Sequence, residues 1–202
     1  VSTMQMAPQA PTACINGWHC EDIGYPAPHG TQLFNAIGSS WTLEGGGFDI
    51  FFKTDQFHFV WQPMVGDGTI SAQVKFVDPP NVIGNDYSKA GVMLRSTTDP
   101  GSPYYGVFLT AQHGIMVQYR TKRGENTGET LFPDPIKGTI YLKIDHIGDF
   151  YTASISNDGV AWQLVDGSTI NIAMGNNLMG GLAITSHDPG NLRVATFNFI
   201  DH

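Results

Sequence analysis

The sequence predicts an all-β fold, a sandwich or a barrel of antiparallel strands. Three observations carry this. Short runs of alternating apolar and polar residues follow one another along the chain, the period-two pattern of strands with one buried face. Clusters rich in Gly, Pro, Asn and Asp separate those runs, where the backbone must take unusual angles. No apolar pattern of period 3.6 extends far enough for a helix of ten or more residues.

Taken in order, residues 1–13, VSTMQMAPQAPTA, show no apolar period and carry two prolines; they read as a linker or frayed N-terminus. A single domain is expected over residues 14–202. It opens on CINGWHC, where Cys14 and Cys20 stand close enough to close a small loop as a disulfide, with two free thiols as the alternative. Zinc fits less well, because His19 adjoins Cys20 and no second ligand pair stands at metal spacing. A disulfide implies an oxidising compartment, so the protein is expected to be secreted. The predicted strands are FDIFF, QFHFVWQ, GTISAQVKFV, AGVMLRS, YYGVFLT, GIMVQYR, TIYLKID, FYTASIS, WQLV, LMGGLAITS and LRVATFNFID. Between them lie the turn clusters VGDG, DPPNVIGND, DPGSP, AQHG, KRGENTG, PDPIKG, SNDG and HDPGN. In SISNDGVAW, Asp158-Gly159 supplies a tight hairpin turn.

Composition narrows the function classes. A net charge of -8, with Lys122-Arg123 as the one adjacent basic pair and Glu125 and Glu129 close behind, opposes nucleic-acid binding. No apolar run approaches the ~20 residues of a helical membrane span. No signal peptide opens the chain, so any export signal is expected to have been removed or to lie outside it.

Splitting the strands by side-chain alternation gives each of four strands a uniformly apolar face and a mixed one. The mixed sets are His58, Val60 and Gln62; Gly91, Met93 and Arg95; Tyr104, Gly106, Phe108 and Thr110; and Met116, Gln118 and Arg120. Rings and thioethers offer contact area, while Arg and Gln offer planar, bidentate hydrogen bonds. A face of this kind suits a hydroxylated ligand such as a sugar. The alternative is that these side chains pack beneath a loop and satisfy one another.

The segments SWTLEGGGFDIFFKTDQFHFVWQPMVGDGTISAQV, YSKAGVMLRST, GIMVQYR, SNDGVAWQLV and GGLAITSHD, in this order and preceded by WHCEDIGYPAPHG, resemble the bacterial laminin-G-like, concanavalin A-like jelly-roll domains attached to secreted carbohydrate-active enzymes. The likeness spans about residues 18 to 201. KAGVMLR is its most specific piece and is shared with fructan-binding modules of similar shape. The chain departs at Asp49-Ile50-Phe51-Phe52, where the family usually has Asp-Ile-Trp-Gly. The resemblance implies a two-sheet antiparallel jelly-roll sandwich, one sheet curved into a concave surface lined by the mixed faces. It also implies association with a secreted carbohydrate-active enzyme. Jelly rolls of this shape often hold a structural Ca²⁺ where the terminal strands meet; Asp22 and Asp201 are the candidates, with two solvated acids as the alternative. No other cofactor is expected.

Catalysis finds little support. Sugar hydrolases need paired carboxylates at a set separation, yet Glu21, Glu44, Glu125 and Glu129 sit outside any such spacing, in expected loops or near turns. Asp49 with Asp55, or Asp145 with Asp149, could meet only through the fold. No Gly-x-Ser-x-Gly, His-x-His or His-Glu-x-x-His occurs. The expectation is therefore a non-catalytic carbohydrate-binding module. Arg95 and Arg120 would clamp hydroxyls, Gln62 and Gln118 would orient them, and His58 and Tyr104 would border the groove. A glycoside hydrolase with loop-borne carboxylates and a protein-adhesion or structural domain are the alternatives.

Overall fold

The computed structural model describes residues 14–79, 84–132 and 138–201. The expected N-terminal linker, the centres of the turn clusters DPPNVIGND and PDPIKG, and residue 202 lie outside them. Among the described residues there is no helix, and the strands are β1 (His19–Ile23), β2 (Thr31–Asn35), β3 (Ser40–Gly45), β4 (Ile50–Phe51), β5 (Thr54–Asp55), β6 (Phe57–Val65), β7 (Gly68–Phe76), β8 (Lys89–Arg95) and β9 (Tyr104–Thr110). They continue as β10 (Ile115–Arg120), β11 (Gly128–Phe132), β12 (Ile140–Ile147), β13 (Phe150–Ser156), β14 (Gln163–Leu164), β15 (Ile170–Asn171), β16 (Asn177–Thr185) and β17 (Arg193–Asp201).

Two large antiparallel sheets form a jelly-roll sandwich. The first runs β1-β6-β16-β8-β9-β10-β11; the second runs β14-β13-β12-β7-β17-β3-β2, with β15 on β13. The small hairpin β4–β5 belongs to neither. Between the sheets lies a core that includes Trp41, Leu43, Val60, Ile70, Val74, Val92, Val107, Val117, Leu142, Ile144, Leu182 and Phe197. In the second sheet the alternation is clean. β12 buries Ile140, Leu142, Ile144 and His146 and leaves the residues between them partly open, as a strand with one solvated face should. The Cys14–Cys20 disulfide is formed, with Cα atoms 5.5 Å apart.

The first sheet breaks that pattern. β8 and β9 are buried at every residue, so something covers their outer face as well. The cover is a second apolar cluster of Ile23, Ile50, Phe57, Phe59, Trp61, Met93, Tyr104, Phe108 and Ala183, to which β4 contributes Ile50. Burying a ring such as Phe57 or Phe59 there is worth about 1.5–3 kcal/mol, so the outer side of this sheet contributes to stability like a core.

Six strands escaped the sequence pattern: β1, β2, β3, β5, β11 and β15. Of these, β1, β2 and β11 are edge strands with little burial to impose an apolar rhythm. Three glutamates expected in loops, Glu21, Glu44 and Glu129, stand in β1, β3 and β11.

Candidate functional site

Strand register shows which side chains share the outer face of the first sheet. Arg95 stands opposite Tyr104, and Tyr104 opposite Arg120; Met93, Gly106 and Gln118 form the next row, and Gly91, Phe108 and Met116 the one after. Three of the four mixed sets therefore lie side by side, as the alternation predicted. The fourth was assigned to the wrong side. Gly181 pairs with both Met93 and Trp61, whereas Leu182 pairs with Val92 and Val60. Phe57, Phe59 and Trp61 thus share the outer face, and His58, Val60 and Gln62 turn toward the other sheet. An all-aromatic set reads as core, and here it is core, but of the second cluster.

The two arginines are corrected as ligand clamps. Both are fully buried, and both bind the fully buried Asp55 from β5. Arg95 donates from Nη1 to Asp55 Oδ2 (2.7 Å), from Nε to the Thr97 carbonyl (2.9 Å) and from Nη2 to the Asp99 carbonyl (2.5 Å). Arg120 donates to both Asp55 oxygens (2.7 and 2.8 Å) and to the carbonyls of Phe51, Phe52, Ser102 and Glu125 at 3.0–3.1 Å. Both guanidinium planes lie near the Tyr104 ring, at 5.8 and 5.1 Å. Burial lowers the Arg95 pKa below its usual value, with Asp55 opposing. Burial also acts to lower that of Arg120, but hydrogen bonding and charge from Asp55 outweigh it and the value rises. A guanidinium holds its proton in either case. Tyr104 is sealed in with them, its phenol pushed up by burial first and the Asp55 charge second. The hairpin β4–β5 is thus a plug pinned over one end of the outer face.

His58 is also buried and committed. Its Nδ1–H donates to Asp22 Oδ1 (2.8 Å), and Nε2 stands 2.9 Å from Gln32 Oε1. Asp22 accepts further from the Gly30 N–H and from His29 Nδ1 (2.9 Å). Among the described residues no group of three or more His, Cys, Asp or Glu side chains could hold a metal. Gln62 is partly exposed on the inner side of β6.

Of the six proposed ligand residues, Gln118 belongs to the lining of a cavity, although only 1% of its own surface is exposed. Beside the plug the outer face opens into a cavity of about 610 Å³. Its floor is Lys89 from β8 with Met116 and Gln118 from β10. Phe48, Asp49, Phe51 and Phe52 form one wall, Glu129 and Leu131 from β11 another, and the loop residues Tyr87, Gln112, His113 and His187 close the rest. Lys89 Nζ is bonded to Asp49, both buried, and His187 Nδ1 lies 3.1 Å from the other Asp49 oxygen. Tyr87 and His113 stack at 3.9 Å between centroids. Phe48, Phe52 and Tyr87 are each about half exposed, at 54%, 58% and 43%, and so present usable ring surface. Phe52 and His187 hold positive φ, 45° and 51°, strained for residues with side chains.

Gln118 is the polar centre. Its Nε2 lies 3.5 Å from Glu129 Oε2, while Oε1 is buried without a hydrogen-bond partner. Exchanging the two amide atoms would set oxygen against carboxylate, so the unpartnered atom is the acceptor. Sequence reasoning missed Asp49, Lys89 and His187 as one group. The signal was present: a lysine opening a continuously apolar strand requires a buried acid as partner.

No protein-family model matches the chain, and no curated protein matches it. Solved structures do. A functionally unknown protein from Saccharomyces cerevisiae aligns at 16% identity over 85% of this chain and 94% of its own, with a TM-score of 0.63. The carbohydrate-binding module CBM66 from Bacillus subtilis aligns at 16% identity over 91% of this chain and 93% of its own, TM-score 0.58. A GH16 protein of the Bacteroides ovatus mixed-linkage glucan PUL, in complex with a product, aligns at 10% identity over 91% and 93%, TM-score 0.53. At these identities the likeness shows the fold: the chain is a jelly-roll β-sandwich similar to those of carbohydrate-associated proteins.

Proposed function

We propose that the protein is a non-catalytic, extracellular carbohydrate-binding module whose site is the cavity beside the β4–β5 plug. One observation carries this reading: a buried amide with an unused acceptor, Gln118 Oε1, sits on the floor of a 610 Å³ cavity rimmed by half-exposed rings. Sugars present hydroxyl donors around apolar C–H faces, and a site of a few placed polar groups among aromatic walls meets both. The carbohydrate-binding module and the GH16 protein among the similar structures support the same class, and the Cys14–Cys20 disulfide fits an oxidising compartment. Glycoside cleavage requires two carboxylates free to exchange protons or attack. Here Asp49 is engaged by Lys89 and the Ile50 N–H, which leaves Glu129 as the available one and favours binding over hydrolysis.

An open site of this size fits affinities of ~4–8 kcal/mol, millimolar to micromolar. The test is glycan-array screening followed by calorimetry on wild type and Gln118→Met, which keeps volume and removes the acceptor. A glycan retained by wild type and weakened about tenfold or more in Gln118→Met supports the site. A glycan held equally by both excludes the cavity, and release of reducing sugar from the same panel would replace the module with an enzyme.

A further inference from the structure

The geometry points to a sugar unit bearing a free ammonium group as the preferred occupant, over its N-acetylated or acidic counterparts. This inference rests on the glycan reading and specifies the ligand within it. The lysine of the cavity, Lys89, is neutralised by Asp49. Beside β11, at the Glu129 wall, what remains unspent is acceptor. Among the described residues Glu129 makes no ion pair and receives only the 3.5 Å contact from the Gln118 amide, and Gln118 Oε1 has no donor at all. A ligand that completes this site must bring N–H or O–H groups inward. A hydroxyl supplies one donor, whereas an ammonium supplies three and a charge.

The walls act in the same sense. Phe48, Phe52 and Tyr87 expose ring surface at the rim, and the faces of such rings attract cations. The chain's net charge of -8 favours the approach of a cationic ligand. A uronate or sulfate would instead bring a second anion beside Glu129 with no uncommitted lysine or arginine on the lining to meet it, a like-charge juxtaposition that rejects it. Acetylation removes the charge and leaves a single amide N–H.

The test is calorimetric titration with glucosamine oligomers, their N-acetylated counterparts and galacturonate oligomers of equal length. It is run at about pH 6, where primary amines are protonated and carboxylates ionised. The amino-sugar oligomer should bind about tenfold tighter than the acetylated one, and the acidic oligomer weakest. In Glu129→Gln, a substitution at an exposed position on edge strand β11, the preference should shrink to within about twofold with the circular dichroism unchanged. A tenfold preference that survives Glu129→Gln would assign it to the chain's overall charge and overturn the site. Acetylated or acidic oligomers binding as tightly as the amino sugar would overturn the ammonium preference while the glycan reading stands. No binding of any of the three oligomers would overturn the ammonium preference, and no binding across the glycan array would remove the glycan reading itself.

Discussion

Asp55→Asn should be among the most damaging single substitutions in this chain. The change is isosteric, so no cavity forms, but it converts one carboxylate oxygen into an amide donor facing two guanidiniums. Arg95 and Arg120 would then keep their charges in a fully buried site with no counter-ion. Removing one partner of a buried ion pair costs about 3–5 kcal/mol, because the abandoned charge stays desolvated. Two abandoned charges place the loss at or above the top of that range, against a total stability of about 5–15 kcal/mol. With a urea m-value of about 3 kcal/mol per molar, near the upper end for small proteins, the unfolding midpoint should fall by about 2 M.

A second arm separates charge from packing. Apolar replacement often rescues a buried ion group, but here it should not. Arg95 also donates to two carbonyls, of Thr97 and Asp99, and Arg120 to five, of Phe51, Phe52, Pro100, Ser102 and Glu125. The carbonyls of Asp99, Phe52 and Pro100 would keep backbone donors from Ser102, Thr127 and Asp55, but those of Thr97, Phe51, Ser102 and Glu125 would lose their arginine donors in an Asp55→Leu, Arg95→Met, Arg120→Met triple variant, which should remain several kcal/mol below wild type. The reasoning fails if Asp55→Asn loses less than about 1 kcal/mol in urea denaturation, since the carbonyl oxygens would then be neutralising both arginines unaided.

Gly91 and Gly106 lie on β8 and β9 and should answer differently to Ala. A methyl at Gly91 would meet the Val107 backbone, which cannot move without breaking the sheet, whereas one at Gly106 would meet the Phe108 ring, which can turn. Thermal denaturation should therefore show Gly91→Ala as the more damaging of the two, with Gly106→Ala in the about 1–3 kcal/mol range of overpacking; the reverse order would refute the packing assignment. Three of the seven tyrosines should resist ionisation: burial raises Tyr104 and Tyr105, and it pushes Tyr151 to about 12. Because these folded values exceed the unfolded one near 10, the unfolded chain releases protons first as pH rises. Their contribution to stability is complete below about pH 10 and is lost above it as pH climbs through the folded values. Absorbance titration at alkaline pH should show a late phase coincident with unfolding, and a single reversible step of all seven near pH 10 would contradict it.

The architecture was legible because the physics that sets it is local. A strand with one buried face writes its period into the sequence, and β12, β13 and β17 did so. Register then turned three correctly split strands into one surface. What the sequence could not show was what stood over that surface. β8 carries apolar, glycine and charged residues together, and an arginine there reads equally as a ligand clamp and as an anchor. The choice is made by Asp55, forty positions away in a two-residue strand, a contact that no periodicity encodes.

The same hairpin shapes the cavity proposed as the site. The β4–β5 hairpin fills the end of the outer face where Arg95, Tyr104 and Arg120 lie, and the backbone flanking it supplies Phe48, Asp49, Phe51 and Phe52 as a cavity wall. A flat sheet face would leave Gln118 in water, where its amide would gain nothing from a ligand. In the folded protein Gln118 is 1% exposed and its acceptor is cut off from solvent. An unmet buried acceptor costs about 1–3 kcal/mol, and on the proposed reading a ligand donor recovers that cost as affinity once the Gln118 amide turns to meet it. On the proposed reading, the buried arginines would act on binding without touching the ligand, by fixing the hairpin that walls the cavity.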